Sequence, residues 1–167
     1  MRQRLAVAVL MLGLAPACAA EPAGCENFKW PVTRERALLT APNLPNFNSG
    51  ADASTLPPFA ATLKLHPAAN AGLPKPSERT QKPGTFAGYL RLGQVPGGVY
   101  TVSVSDFAWV DVIQDGNYLK PTAFSGVTGC NGIRKTMRFD LAPGPATVQI
   151  SGVATDSIHL AVTLSSD

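Results

Sequence analysis

Residues 92–104, LGQVPGGVYTVSV, and residues 141–151, LAPGPATVQIS, follow one plan. In each segment an apolar residue ends one stretch, a turn containing Pro and Gly follows, and the next stretch alternates apolar with polar residues. Alternation over a short run is typical of a half-buried β-strand, and two such runs joined by a tight turn indicate a hairpin. The two segments therefore predict two β-hairpins.

Further runs between residues 84 and 167 alternate in the same way. They are residues 86–92, 109–113, 136–141 and 158–164. Asp115-Gly116 is also a typical two-residue hairpin turn. Strands with one apolar and one polar face suit antiparallel sheets that pack face to face. We therefore expect residues 84–167 to form an all-β, antiparallel β-sandwich or jelly roll of about seven to eight strands.

Residues 21–83 differ in composition, because they hold ten of the 15 Pro residues of the chain. This density of Pro predicts an extended arm that packs on the sandwich. Within the arm, residues 33–39 could form one or two helical turns, and residues 61–65 alternate like a short strand.

Residues 1–20 have the pattern of a signal peptide. Arg2 and Arg4 precede an apolar run over residues 5–14, and small residues follow up to residue 20. The run is too short to span a bilayer, which needs about 20 apolar residues. The pattern predicts export to the periplasm or the exterior; lipidation of Cys18 is the alternative.

The charge of the chain does not favour nucleic acid as a partner. Lys and Arg number 14 and Asp and Glu 11, a formal net charge of +3. Two of the basic residues lie in the expected signal peptide, so 12 basic and 11 acidic residues remain, a net charge of +1. No block of basic residues interleaved with aromatics remains to attract a phosphate backbone.

We expect a monomer without a transmembrane segment.

Cys25 and Cys130 are the two cysteines that remain after the expected cleavage. An exported protein meets an oxidising compartment, so the pair predicts one disulfide that fastens the arm to the distal part of the fold. The alternative is two free thiols.

The motifs of common enzymes do not appear. The two histidines, His66 and His159, lie far apart in sequence without a partner at metal-ligand spacing, and a G-x-S-x-G nucleophile turn is missing. We therefore predict no catalytic residue, metal or cofactor. A calcium site at Asp111, Asp115 and Asn117 is an alternative, although the spacing is not that of an EF-hand.

Five residues are candidates for binding. Trp109 and Asp111 share one face of a predicted strand, and Tyr118 follows the turn beyond it, which suits a sugar or a peptide. Arg134 and Arg138 share a face near the second cysteine, which suits a carboxylate or phosphate because guanidinium groups are planar forks. A core position for the tryptophan and a solvated face for the arginines are the alternatives.

A resemblance covers residues 86–150. It rests on YTV (100–102), AWVDVIQDG (108–116), CNGIRK (130–135) and FDLAPG (139–144). These motifs resemble a family of small exported proteins from sphingomonad-like Gram-negative bacteria, whose members often bear the name homogentisate 1,2-dioxygenase. That name implies an Fe(II) enzyme that cleaves aromatic rings. Several members are His-rich before the second cysteine, whereas residues 122–129 contain no His. The iron ligands of such an enzyme thus have no counterpart here.

The rhythm of turns and strands also resembles the C-terminal pre-peptidase domains of secreted bacterial proteases and jelly-roll carbohydrate-binding modules. We therefore expect an exported, non-catalytic binding or accessory protein of the cell envelope. Its ligand would be a carbohydrate, a peptide or a small anion. An iron dioxygenase and a structural envelope protein are the alternatives.

Overall fold

The computed structural model describes residues 20–53 and 56–165 of the chain. The expected signal peptide, including Cys18, lies outside these residues except for Ala20. Within the described residues, no helix is both long and apolar enough to cross a membrane.

Strands dominate the described residues, with a single α-helix, α1 (Thr33–Leu39), and two short 3-10 helices, Cys25–Asn27 and Ala68–Asn70. The strands are β1 (Asn46–Asn48), β2 (Asp52–Ala53), β3 (Phe59–Lys64), β4 (His66–Pro67), β5 (Phe86–Val95), β6 (Gly98–Val104), β7 (Trp109–Gln114), β8 (Asn117–Leu119), β9 (Ala123–Gly126), β10 (Lys135–Leu141), β11 (Gly144–Val153) and β12 (Ser157–Leu164). Helix α1 coincides with the helical turns predicted for residues 33–39.

Two six-stranded sheets form a sandwich. Sheet 1 has the order β1-β3-β12-β6-β10-β9, and sheet 2 has the order β2-β5-β11-β7-β8, with β4 also paired to β5. Only the β1–β3 and β2–β5 pairs are parallel among the described strands. The all-β sandwich is thus confirmed. Strands of six or more residues number seven in the described ranges, and the other five have two to four residues.

The two predicted hairpins are wrong, because each turn carries the chain from one sheet to the other. Strand β5 lies in sheet 2 and β6 in sheet 1, while β10 lies in sheet 1 and β11 in sheet 2. The two similar segments instead pair with each other, β5 with β11 and β6 with β10. Their turns lie side by side: a Cβ added to Gly97 would come within 2.9 Å of the Pro143 ring. By contrast, the hairpin at Asp115-Gly116 is confirmed as the β7–β8 turn.

The sheets begin before residue 84, where the sandwich was expected to start. Residues 46–67 supply β1 to β4, and β3 lies inside sheet 1 between β1 and β12. The sequence of β3, FAATLK, includes the alternating residues 61–64. Strand β3 overlaps the short strand predicted at residues 61–65, and the segment expected to form an arm thus contributes strands to both sheets.

The apolar core has two parts. The larger part fills the space between the sheets and includes Leu90, Phe139 and Leu160. The smaller part lies on the outer face of sheet 1, where Phe28 and Leu39 from the N-terminal segment pack with others. The disulfide between Cys25 and Cys130, with a sequence separation of 105, closes this second layer.

Candidate functional site

A loop crosses the outer face of sheet 2. We call residues 72–82 the strap. The Ser77 hydroxyl lies 2.8 Å from the Ser151 hydroxyl on β11, and the Tyr118 hydroxyl on β8 donates to the carbonyl oxygen of Pro76. The strap is therefore fastened to two strands of the sheet.

Asp111 on β7 lies beneath the strap and is only 3% exposed. Its Oδ1 accepts a hydrogen bond from Trp109 Nε1 at 2.6 Å. Its Oδ2 accepts from Gln149 Nε2 at 3.2 Å and from the backbone N–H of Glu78 at 3.3 Å. Burial raises the pKa of Asp111 above its ordinary value, although these hydrogen bonds act in the opposite direction. The carboxyl group thus orients one indole ring and holds the strap to the sheet.

Two cationic side chains lie near the Trp109 ring. The Arg79 guanidinium of the strap lies 5.4 Å from the ring centroid, and Lys135 Nζ lies 5.8 Å from it. Because the indole N–H is bound to Asp111, the orientation of the ring is fixed. An aromatic face with cations near it attracts anions while it still offers an apolar surface.

A second aromatic ring extends this surface. Phe107 is 58% exposed, with Lys135 Nζ at 5.5 Å and the Arg134 guanidinium at 5.8 Å from its centroid. Lys135 Nζ also donates to the carbonyl oxygen of Ala108 at 2.6 Å. Burial lowers the pKa of Lys135, and the neighbouring charge of Arg134 lowers it further.

Two adjoining clefts open along the strap. The larger, of about 640 Å³, lies between the strap and the start of β5, and the smaller, of about 100 Å³, reaches Phe107 and Trp109. We call them together the Trp109 cleft. The residues that line both are Arg79, Thr80, Gln81, Lys82 and Thr85. Gln81 Oε1 is buried and has no hydrogen-bond partner among the described residues, so it is an acceptor that a ligand donor could satisfy.

The five predicted binding residues lie in three places. Trp109, Asp111 and Tyr118 lie together on the outer face of sheet 2 and share the strap as a partner. The Arg134 side chain is 17% exposed and pairs with Glu21 beside Phe107.

Arg138 lies on the outer face of sheet 1, with its guanidinium 4.7 Å from the centroid of the Trp30 ring. The predicted shared face of Arg134 and Arg138 therefore does not bring their guanidinium groups to one ligand. Arg134 precedes the first residue of β10, Lys135, and its side chain is held by Glu21 and Phe107, whereas that of Arg138 is held over Trp30.

Sequence reasoning missed Arg79, Gln81 and Phe107. Arg79 and Gln81 lie in the strap, which has no periodicity to reveal a face. Phe107 lies in the connection between β6 and β7, where an aromatic residue between two predicted strands was the available signal. Among the described residues, no group of three or more His, Cys, Asp or Glu side chains could hold a metal ion. No family model matches the chain, and no curated protein matches it.

Proposed function

We propose that this protein is an exported, non-catalytic binding module of the cell envelope, and that the Trp109 cleft binds a negatively charged carbohydrate. The observation that carries the proposal is the fixed Trp109 ring, which has the Arg79 guanidinium 5.4 Å from its centroid and lines the smaller cleft, of about 100 Å³. That cleft shares five lining residues with the larger one, of about 640 Å³. Volumes of about 300–1,000 Å³ are usual for ligand sites.

The charges near the cleft favour an anion. Arg79 and Lys82 line it and are exposed, and Lys135 lies next to both aromatic rings. Two of the nearest carboxylates already have partners, because Asp111 accepts three hydrogen bonds and Glu78 pairs with Lys120. A carboxylate or sulfate on the ligand would therefore meet cations that are available to it.

The polar lining favours a ligand with hydroxyl groups. Gln81 Oε1 is a buried acceptor for which the described residues supply no donor, and Thr80 and Thr85 offer hydroxyls to the same cleft. The flat, apolar face of a pyranose ring packs well on an indole ring, and its hydroxyls can donate to the amide oxygen. A small inorganic anion would use the cations and leave the aromatic ring and the amide without a partner.

The disulfide supports a location outside the cytoplasm. Disulfides persist in oxidising compartments, and the Cys25–Cys130 bridge joins two segments that are far apart in the sequence. The pattern of residues 1–20 supplies the route of export.

Calorimetry with acidic oligosaccharides tests this proposal. We expect an oligogalacturonate to bind and its uncharged methyl ester to bind at least tenfold more weakly. Arg79→Gln should weaken binding at least tenfold, because a hydrogen bond to a charged group contributes about 1.5–3 kcal/mol. Trp109→Phe should also weaken binding, because the smaller ring packs against less of the sugar. Arg91→Gln is the matched control, since Arg91 lies on the same sheet over Tyr89 and does not line the Trp109 cleft.

Other outcomes would contradict the proposal. Equal binding of galacturonate oligomers and of citrate would indicate a small-anion site, and stronger binding of an acidic peptide would indicate a peptide site. If none of these probes binds, the module has no such ligand and a structural role in the envelope is favoured.

A further inference from the structure

A second pair of aromatic and cationic side chains lies on the opposite side of the sandwich. Arg138 on β10 is half-buried, and its guanidinium lies over the ring of Trp30. Arg138 Nε and Trp30 Nε1 are both buried, and neither has a hydrogen-bond partner among the described residues. The Arg138 side chain also forms no ion pair there.

This arrangement leaves two strong donors without acceptors. Buried N–H groups are nearly always paired, and one left unpaired costs about 1–3 kcal/mol. Asp140 shares the outer face of β10 with Arg138, but it is exposed and lies outside ion-pair distance. The chain thus supplies the donors, and the described residues do not supply the acceptor.

We propose that Arg138 and Trp30 form a second binding site, and that it takes a carboxylate group. Stacking on Trp30 uses the flat face of the guanidinium and leaves its N–H edge free to donate two parallel hydrogen bonds. A planar carboxylate accepts such a pair, and the Trp30 indole N–H is a further donor without a partner among the described residues.

Charge and size select a carboxylate over a phosphate. One guanidinium balances one negative charge, whereas a phosphate carries up to two near neutral pH. Lys29, the residue before Trp30, has its Nζ over the ring of Phe124, at 4.8 Å from the centroid. Because the two unpaired donors are buried, only a flat and small head group can reach them.

The site lies at the edge of its sheet and is separate from the Trp109 cleft. Arg138 pairs with Ala123 of β9, the edge strand of sheet 1, so the site lies near the rim of the sheet. The Trp109 cleft lies on sheet 2, and the two share no residue. This second site therefore does not depend on the proposed function.

The two tryptophans of the chain allow a direct test by NMR, because each indole N–H reports one site. Sodium acetate is titrated into the ¹⁵N-labelled protein, with sodium chloride at equal ionic strength as the reference. We expect the Trp30 indole resonance to move and saturate with acetate and to stay in place with chloride. The Trp109 resonance should stay in place, since its N–H is already bound to Asp111.

Variants separate a guanidinium site from a general positive charge. Arg138→Gln should abolish the saturable shift, and Arg138→Lys, which keeps the charge and loses the fork, should weaken acetate binding at least tenfold. Lys29→Gln is the matched control and should leave binding within twofold. An unchanged Trp109 resonance shows that each variant is folded; if Arg138→Gln does not fold, Arg138→Lys decides.

Three results would overturn the site. The Trp30 resonance could stay in place with acetate, or it could move equally with chloride. Arg138→Lys could bind acetate as well as the wild type does. Tighter binding of inorganic phosphate than of acetate would overturn the assignment to a carboxylate.

Discussion

The indole Nε1 of Trp109 donates to Oδ1 of Asp111 over 2.6 Å, two residues along the same strand. Alternate residues of a strand point to one face, so the pair lies side by side on the outer face of sheet 2. The same carboxyl group accepts from Gln149 and from the backbone of Glu78. The buried carboxyl group of Asp111 therefore connects the Trp109 ring to the strap.

Replacing Asp111 should destabilise the protein and loosen the site. Asp111→Asn puts an NH₂ group where an oxygen now accepts a hydrogen bond, so at least one of three N–H donors loses its partner. We expect the free energy of unfolding in urea at neutral pH to fall by about 1–3 kcal/mol. Asp115→Asn is the control, because Asp115 is exposed in a turn at φ 50, a conformation that Asn tolerates. An equal effect of both variants would contradict this role of Asp111.

The stability should depend on pH through Asp111. Burial raises its pKa in the folded protein above 3.8, so the folded state holds this proton to a higher pH than the unfolded chain does. Well below pH 3.8 the carboxyl group is protonated in both the folded and the unfolded state. As the pH rises through the raised pKa, the folded state resists ionisation, so the free energy of unfolding decreases. The stability advantage of the wild type over Asp111→Asn should therefore narrow as the pH rises.

The Trp109 indole resonance provides the measurement for this titration. We expect it to move with pH at a midpoint above 3.8, and to stay in place in Asp111→Asn. A midpoint below 3.8 would mean that the three hydrogen bonds outweigh burial, and the predicted sign would then be reversed.

Alternation in the sequence was sufficient to place most of the long strands but not to pair them. Alternation with a period of two residues shows which side chains of a strand share a face. It does not show which other strand pairs with that strand. The turns at Gly97 and Pro143 show the consequence, because both were expected within hairpins and both cross between sheets. Glycines with positive φ at Gly98 (151°) and Gly144 (137°) begin the strands after these crossings.

The same limit applies to the site. Trp109 and Asp111 could be grouped from the sequence because they are alternate residues of one strand. Tyr118 could be added because a two-residue turn brings its strand next to theirs. Arg79 could not, since a loop without periodicity is positioned only by its tertiary contacts. Arg138 was identified as a binding residue, but its partner Trp30 lies more than 100 residues away in the chain.

The strap should open more readily when its bond to Tyr118 is removed. Tyr118→Phe deletes the hydroxyl that donates to the Pro76 carbonyl oxygen. A net hydrogen bond contributes about 0.5–1.5 kcal/mol, so the open population should rise about two- to tenfold. Trypsin reports the opening, because Arg79–Thr80 is the strap bond after a basic residue that does not precede Pro.

The control for the strap is Tyr89→Phe. Tyr89 lies on the same sheet, stacked with Arg91, and its hydroxyl makes no hydrogen bond to the strap. We expect wild-type cleavage rates in this variant. Equal cleavage of wild type and Tyr118→Phe, at equal global stability, would show that the other contacts hold the strap closed.

The disulfide should contribute a large part of the stability. Cys25 and Cys130 close a loop with a sequence separation of 105, and the chain-entropy model gives about 4–5 kcal/mol for a loop of this length. The bridge also holds the N-terminal segment, with Phe28 and Leu39, on the outer face of sheet 1. In the Cys25→Ser, Cys130→Ser double variant we therefore expect the free energy of unfolding to fall by several kcal/mol. A reductant should lower the urea midpoint of the wild type and leave that of the variant unchanged; equal responses would mean that the two thiols are free in the folded protein.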